Sequence, residues 1–263
     1  MTATMSFMPE ILAYRELLSE LTKREIKQRY KQSVLGYAWV ILNPLLQMLV
    51  MAFVFSKILR ITNLSVPYPI FLYAGLLPWT LFSNSLSSSV NALVSNGGLL
   101  TKIYFPREIF IQSTVLAKIV DFFLASTVFV IFMVYYQLPI TLHILWFIPI
   151  FFIQNFFTYG LALIMAASNL FYRDIQYVLG LLLLVWMYLT PVIYPVETFP
   201  EKFRWIFQLN PMAVFINAYR QVILGGSPPN FISLGVGIVF STVLYIVGYS
   251  LFKRLEGVFA DVV

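Results

Sequence analysis

The chain contains no cysteine and a single histidine, His143, in 263 residues. Disulfide frameworks and Cys/His metal centres need several such side chains, so both are excluded by inventory. Charge is scarce as well: Asp, Glu, Lys and Arg make up 11% of the residues, against about 25% in an average soluble domain. Hydrophobic residues make up 60% and the mean hydropathy is +0.84, which excludes a water-soluble globule. Also missing is any G-x-x-x-x-G-K-[ST] loop, whose backbone amides would cradle the phosphates of ATP. Outside the hydrophobic runs Glu197 and Glu201 are closely spaced, but without metal-ligand company they make a poor catalytic pair.

What remains is uncharged length. Residues 32–56 and 175–196 are uncharged runs of 25 and 22 residues, and a hydrocarbon core of about 30 Å takes about 20 apolar residues to cross. The pattern predicts six spans, at 33–57, 70–94, 109–136, 144–170, 175–194 and 231–252, in an all-α membrane protein. Residues 1–263 then form one transmembrane domain, since no segment is left for a separate soluble one. An even number of spans puts both termini on one side. The segments on that side hold eleven Lys/Arg and those on the other side five, so the positive-inside rule predicts cytoplasmic termini. The first 31 residues, with six Lys/Arg and four Glu, do not read as a removable signal peptide.

Residues 195–230 break the pattern. Their uncharged stretch 205–219 is only 15 residues long, bounded by Pro195, Pro200 and Gly225-Gly226-Ser227-Pro228-Pro229, too short to span. It reads as a re-entrant hairpin of two short helices broken around Asn210-Pro211, where proline removes a donor and restricts its neighbour. The other reading is a loop lying flat on the membrane.

At the N-terminus, Ile11, Tyr14, Leu17, Leu18 and Leu21 fall on one side of a helix, which predicts an amphipathic interfacial helix over 10–31. Its polar face carries Lys23, Lys27 and Lys31 at i, i+4, i+8, a spacing at which like charges repel. Such a stripe suits anionic lipid headgroups, where each basic residue gains about 1 kcal/mol; it also suits a plain topology anchor. Glu25 and Arg29, at i, i+4, read as a structural pair.

Two polar stripes run through the hydrophobic spans. Asn84, Ser88, Asn91 and Ser95 share one face of the second span, and Gly36, Asn43 and Gln47 one face of the first. Lipid rejects such faces, so they point to a cavity or to a helix contact. Lys118 and Asp121, at i, i+3 in the third span, read as a mutually neutralised pair, with a proton relay as the alternative. In the fifth span Tyr177 and Tyr188 share a face beside Trp186, rings able to stack on sugars while a hydroxyl hydrogen-bonds. The 95–108 loop joins Gly97-Gly98 to an apolar and aromatic run and charges, which suggests docking of a soluble partner or a loop resting on lipid.

In this order the landmarks resemble the permease subunit of type-2 ABC exporters of polysaccharide, closest to the O-antigen and teichoic-acid group. The resemblance is carried by residues 20–43 (ELTKREIKQRYKQSVLGYAWVILN), 68–83 (YPIFLYAGLLPWTLFS), 99–107 (LLTKIYFPR), 172–174 (YRD), 190–195 (TPVIYP) and Asn210-Pro211-Met212. After Arg107 the sequence departs from the family pattern, with Glu108-Ile109-Phe110-Ile111-Gln112 where an apolar stretch with a proline is usual.

The resemblance implies a homodimer in a bacterial cytoplasmic membrane that exports a polyprenyl-pyrophosphate-linked glycan. Two separate ATP-binding cassette subunits would bind ATP and magnesium, leaving this chain without cofactor, metal, catalytic residue or nucleic-acid partner. It further implies a gate at the lipid headgroup formed by Lys23, Arg24, Lys27, Arg29 and Lys31. A channel would be lined by Tyr37, Asn43, Gln47, Asn84, Ser88, Asn91, Tyr177, Trp186 and Tyr188. Leu99, Leu100, Lys102, Tyr104, Phe105 and Arg107 would couple to the ATPase, and 195–225 would cap the periplasmic side. Two other functions stay open on the residues alone: an ion-coupled secondary transporter, for which Asp121 is the only acid within a span, and a membrane glycosyltransferase acting on polyprenyl phosphate.

Overall fold

The computed structural model describes residues 14–58, 66–100 and 105–262. Among them every regular element is helical. In chain order these are α1 (Arg15–Tyr30), α2 (Ala38–Ala52) running on into a π-helical turn (Phe53–Ile58), α3 (Tyr68–Ser89), and the short α4 (Ala92–Ser95) and α5 (Gly97–Leu100). There follow α6 (Glu108–Tyr135), a 3-10 turn (Leu142–Trp146), α7 (Phe147–Phe171) and α8 (Ile175–Leu189). The last third has 3-10 helices at Val196–Thr198 and Glu201–Gln208, then α9 (Pro211–Ile223) and α10 (Phe231–Leu255), a 3-10 turn (Glu256–Val258) and α11 (Phe259–Val262).

The boundaries follow from local chemistry. Gly36 takes φ +51° between α1 and α2, a left-handed conformation that costs glycine little and lets the chain turn from one helix to the next. Asn210 caps α9, its Oδ1 accepting from the backbone of Met212 (3.1 Å) and Ala213 (3.4 Å), while Pro211 needs no partner in the first turn. Asn230 caps α10 in the same way.

Helix is present at all six expected places, and four helices are long and apolar enough to cross a membrane: Ala38–Ser56, Glu108–Tyr135, Leu142–Phe171 and Phe231–Val258. Helix α8, with 15 residues, reaches only about 22 Å at 1.5 Å per residue. Helix α3 ends in Ser83-Asn84-Ser85-Leu86-Ser87-Ser88-Ser89, a run too polar for lipid. It has no need of lipid, because it is the buried centre of the bundle, packed on α2, α6, α7 and α9 with residues 70–79 inside. The outward faces of α2, α6, α8 and α10 expose large hydrophobics such as Val50, Val130, Leu181 and Val239.

Helix α10 lies against α7 through glycine. A Cβ on Gly248 would stand 2.3 Å from the Gly160 carbonyl oxygen, and one on Gly160 would stand 2.8 Å from the Tyr245 backbone. Small residues thus bring two backbones together where no hydrophobic effect drives helices to associate.

Candidate functional site

The two polar stripes of the sequence meet. Asn43 and Gln47 of α2 and Asn84 of α3 line one cavity of about 470 Å³, with Thr80, Ser83, Lys118 and Asp121. The second stripe does not continue on a single helix, because α3 stops at Ser89 and the chain restarts as α4 after Asn91. Beyond the break Asn91 turns into a packed network: its Nδ2 donates to Gln176 Oε1 (3.1 Å) and its Oδ1 accepts from Asn169 Nδ2 (3.1 Å). Ser88 is outside the cavity lining. At the cavity wall Asp121 has two cations on one carboxylate oxygen, Arg29 of α1 in close hydrogen-bonded contact and Lys118 at 3.8 Å. Sequence spacing finds Lys118; it pairs Arg29 with Glu25, whereas the structure sends Arg29 to Asp121 across 92 positions.

The basic residues of α1 divide between two sides. Lys23, Arg24, Lys27 and Lys31 line a shallow cavity of about 360 Å³ with Glu20 and Gln28. Lys23 donates to Glu20 at 2.8 Å, and its ammonium holds the Glu20 carboxyl below the usual carboxylate range. Arg24 also reaches Asn96. Arg29 faces away, into the bundle. On the apolar side Leu21 is buried and Tyr14, Leu17 and Leu18 pack on the core; Ile11 lies outside the described residues.

A second large cavity, about 610 Å³, opens between the end of α8 and residues 194–211. Its walls include Trp186, Tyr188, Tyr194, Phe199, Phe203 and Asn210. Trp186 Nε1 donates to Asn210 Oδ1 at 3.0 Å, and Asn210 Nδ2 donates to Thr190 Oγ1 at 2.9 Å. The same asparagine therefore caps α9 and fixes the indole, which lies edge-on to Phe82 at 5.1 Å. Tyr194 donates to the Tyr188 carbonyl at 2.7 Å. Tyr177, ten residues before Met187 on the same helix, is 70% exposed and Tyr37 is exposed on the outer side of α2; neither lines these cavities.

Within the 95–108 segment, several of the described side chains turn inward. Leu100 and Phe105 are buried and Leu99 is half-buried, with Phe105 edge-on to Phe110 at 5.2 Å. Arg107 is held by Glu256, near the C-terminal end of the chain. Lys102 and Tyr104 lie outside the described residues.

Sequence reasoning missed Arg220, which it counted only as one of the five basic residues on the side opposite the termini. The guanidinium is buried, donating to the carbonyls of Pro191 (2.6 Å), Val192 (2.6 Å) and Phe71 (3.2 Å), 3.7 Å above the Phe71 ring. The irregular stretch 190–195 offers carbonyls that no helix satisfies, and Arg220 supplies the donors. A Cβ on Gly75 would stand 2.5 Å from that guanidinium. The available signal was Thr190-Pro191-Val192-Ile193-Tyr194-Pro195 itself, whose prolines announce unpaired backbone within an apolar run.

Four helices long and apolar enough to cross a membrane, packed beside a cavity lined by Asn43, Gln47, Asn84, Lys118 and Asp121, define an integral membrane protein with polar groups inside its helical bundle. The chain matches the family described as ABC-2 type transporter over residues 16–224 and belongs to that family. It is 33% identical over 249 residues to an O-antigen export system permease protein of Klebsiella pneumoniae, covering 94% of this chain and 95% of that one. It is 34% identical over 256 residues to the O-antigen export system permease protein of Myxococcus xanthus, covering 96% and 97%. A polysialic acid transport protein of Escherichia coli is 26% identical over 243 residues, covering 89% and 91%.

Proposed function

We propose that this chain is the permease of an ABC exporter that moves a lipid-linked polysaccharide across the bacterial cytoplasmic membrane. Two copies would form the channel, each seated on a separate ATP-binding subunit that binds and hydrolyses ATP. The observation that carries the reading is identity of about one third, end to end, with permeases named for O-antigen export. In this reading all six expected spans cross the membrane, with cytoplasmic termini, and residues 195–225 dip back into the outer leaflet as the cap.

The geometry supports it in two places. The aromatic cavity beside Asn210 combines flat apolar rings with hydrogen-bonding edges, the chemistry that suits pyranose faces. The groove of α1 lined by Lys23, Arg24, Lys27 and Lys31 gathers cations on one face, chemistry that would attract the pyrophosphate of a lipid carrier. Against an ion-coupled carrier stands the environment of Asp121, whose carboxylate oxygen is already engaged by both Arg29 and Lys118.

The test is reconstitution. The permease purified alone is expected to hydrolyse no ATP, and with its genomic neighbour's ATP-binding subunit in vesicles it is expected to export polyprenyl-linked glycan in an ATP-dependent manner. Glycan movement without that subunit, or sugar transfer by the permease alone, would overturn the reading.

A further inference from the structure

The end of the chain is tied to the segment before α6 by a compact charged cluster. Glu256 Oε1 accepts from the Arg107 backbone N–H at 2.9 Å, and the Glu256 carbonyl accepts from the Arg107 guanidinium. Lys253 bridges the two acids, donating to Glu108 Oε2 at 2.8 Å and to Glu256 Oε2 at 3.0 Å. Glu108, only 3% exposed, is therefore a neutralised buried carboxylate and not a bare one. Next to this cluster the Arg107 guanidinium lies 5.9 Å over the Phe259 ring. Phe259 is fully buried, edge-on to Phe252 at 5.1 Å and packed on Phe171 at 6.1 Å.

The contacts reach both described ends of the 95–108 segment. Helix α11 packs on α5 at one end and on α7, while Glu256 holds Arg107 at the other. Residues 97–100 and 105–107 are thus both tied to one short stretch of chain, so a push that displaces either is resisted by that stretch. The push is passed to α10, which continues without interruption into that stretch, and from α10 to α7 through the Gly248–Gly160 contact. Coupling through packed elements of this kind needs a rigid link at its origin.

We infer that Glu256 is a positioning residue and that residues 253–262 form a brace that makes movement of residues 97–100 and 105–107 act on α10. The inference rests on the permease reading, because the work transmitted is that of the ATP-binding subunit docked on this segment. Glu256→Ala removes both carboxylate contacts, the acceptor for the Arg107 N–H and the acceptor for Lys253. Glu256→Gln keeps an oxygen for the Arg107 N–H and loses only the negative charge facing Lys253, and the backbone carbonyl that accepts from Arg107 is kept in both variants.

The absence of native cysteine makes the test direct. Cysteines for spin labels go at Gly98, where an added Cβ meets nothing within 4 Å, and at Val258, which is exposed. In the full-length permease in nanodiscs, Glu256→Ala is expected to broaden the label-to-label distance distribution and Glu256→Gln to leave it narrow. In vesicles with the ATP-binding subunit, Glu256→Ala is expected to lower glycan exported per ATP hydrolysed by about fivefold or more, the scale of one lost charge-assisted hydrogen bond, and Glu256→Gln to stay within about twofold of wild type. Three results overturn the inference: an unchanged distance distribution in Glu256→Ala, a broadened distribution with wild-type export per ATP, or loss of export and hydrolysis in equal proportion. Should the wild-type chain bind no ATP-binding subunit, the permease reading fails, and the distance measurement still decides separately whether the brace holds the segment.

Discussion

Arg29 in the N-terminal helix and Asp121 in α6 form an ion pair across 92 positions of sequence, with Lys118 3.8 Å from the same carboxylate oxygen. Arg29 thereby fastens the helix that carries the lysine stripe to the wall of the polar cavity. Lys118 stands by as a second partner, so Asp121 keeps a counter-charge when α1 moves. Both members of the pair are about one-fifth exposed, which places the interaction between a solvated surface pair and a dry one.

Asp121→Asn leaves two cations facing one neutral amide. Removing one partner of a fully buried pair costs about 3–5 kcal/mol; partial exposure here reduces that to about 1–3 kcal/mol. The expected outcome is release of α1, read as faster tryptic cleavage at Lys23, Lys27 and Lys31 in detergent-solubilised protein. Arg29→Gln combined with Asp121→Asn is expected to restore part of the protection, because the double variant no longer confines two like charges. Cleavage at the wild-type rate in Asp121→Asn would show that apolar packing of Leu17, Leu18 and Leu21 alone holds the helix.

Two glycines of α10 should respond in opposite directions to the same substitution. A methyl on Gly248 would meet the Gly160 carbonyl at 2.3 Å, whereas at Gly235 it would meet nothing within 4 Å. Gly248→Ala must push α10 off α7, an overpacking that typically costs about 1–3 kcal/mol. Gly235→Ala removes helix-weakening backbone freedom worth about 0.5–1 kcal/mol. A thermal melt in detergent is expected to show Tm lowered by the first and unchanged or raised by the second.

The helices were legible because their signal is length without charge, and a membrane leaves few alternatives for such segments. The polar stripes were legible as faces, and Asn43, Gln47 and Asn84 do converge on one cavity. Long-range partners were not. Nothing in the local spacing of Arg29 distinguishes Glu25, four residues away, from Asp121, and burial decided for the latter. Arg220 was missed for a related reason: its partners are backbone carbonyls of Pro191, Val192 and Phe71, and although the prolines of 190–195 announce an irregular backbone in need of donors, they do not say which distant side chain supplies them. Leu100 and Phe105 looked like exposed docking hydrophobics but are buried, and the contacts made there by α11 and Glu256 come from about 150 residues away and leave no trace in the local sequence.

The lysine stripe separates a gate from an anchor by salt and by substrate. Lys23, Lys27 and Lys31 border one shallow groove, and at about 1 kcal/mol each near anionic headgroups they contribute roughly 3 kcal/mol, or about a hundredfold in affinity. Lys23→Gln/Lys27→Gln/Lys31→Gln is expected to lower glycan-stimulated transport in anionic vesicles by about tenfold or more while membrane insertion is retained. Raising salt, which shortens the screening length from about 10 Å at 0.1 M to about 3 Å at 1 M, should slow the wild type and leave the triple variant nearly unaffected. Parallel losses of insertion and transport would reduce the stripe to a topology anchor.

Tyr188 and Tyr177 lie on the same helix, yet only Tyr188 borders the aromatic cavity with Trp186 and Asn210, which makes Tyr177 a matched control. A ring stacked on a sugar contributes about 1 kcal/mol, by analogy with aromatic pairs in proteins, and a polymer threading past the site meets that ring once per residue passed. The effect on a long chain is therefore one of repeated encounters, and it grows with the number of sugars. Tyr188→Ala is expected to slow export of long glycans by several-fold while short ones pass almost normally, and Tyr177→Ala to do neither. The Tyr194 hydroxyl donates to the backbone carbonyl of Tyr188, not to its ring, so the local fold at the end of α8 survives the truncation and the rate change reports on the ring alone. Equal rates for Tyr188→Ala and wild type across glycan lengths would remove this cavity from the path of the polymer and leave the cavity beside Asn43, Gln47 and Asn84 as the passage.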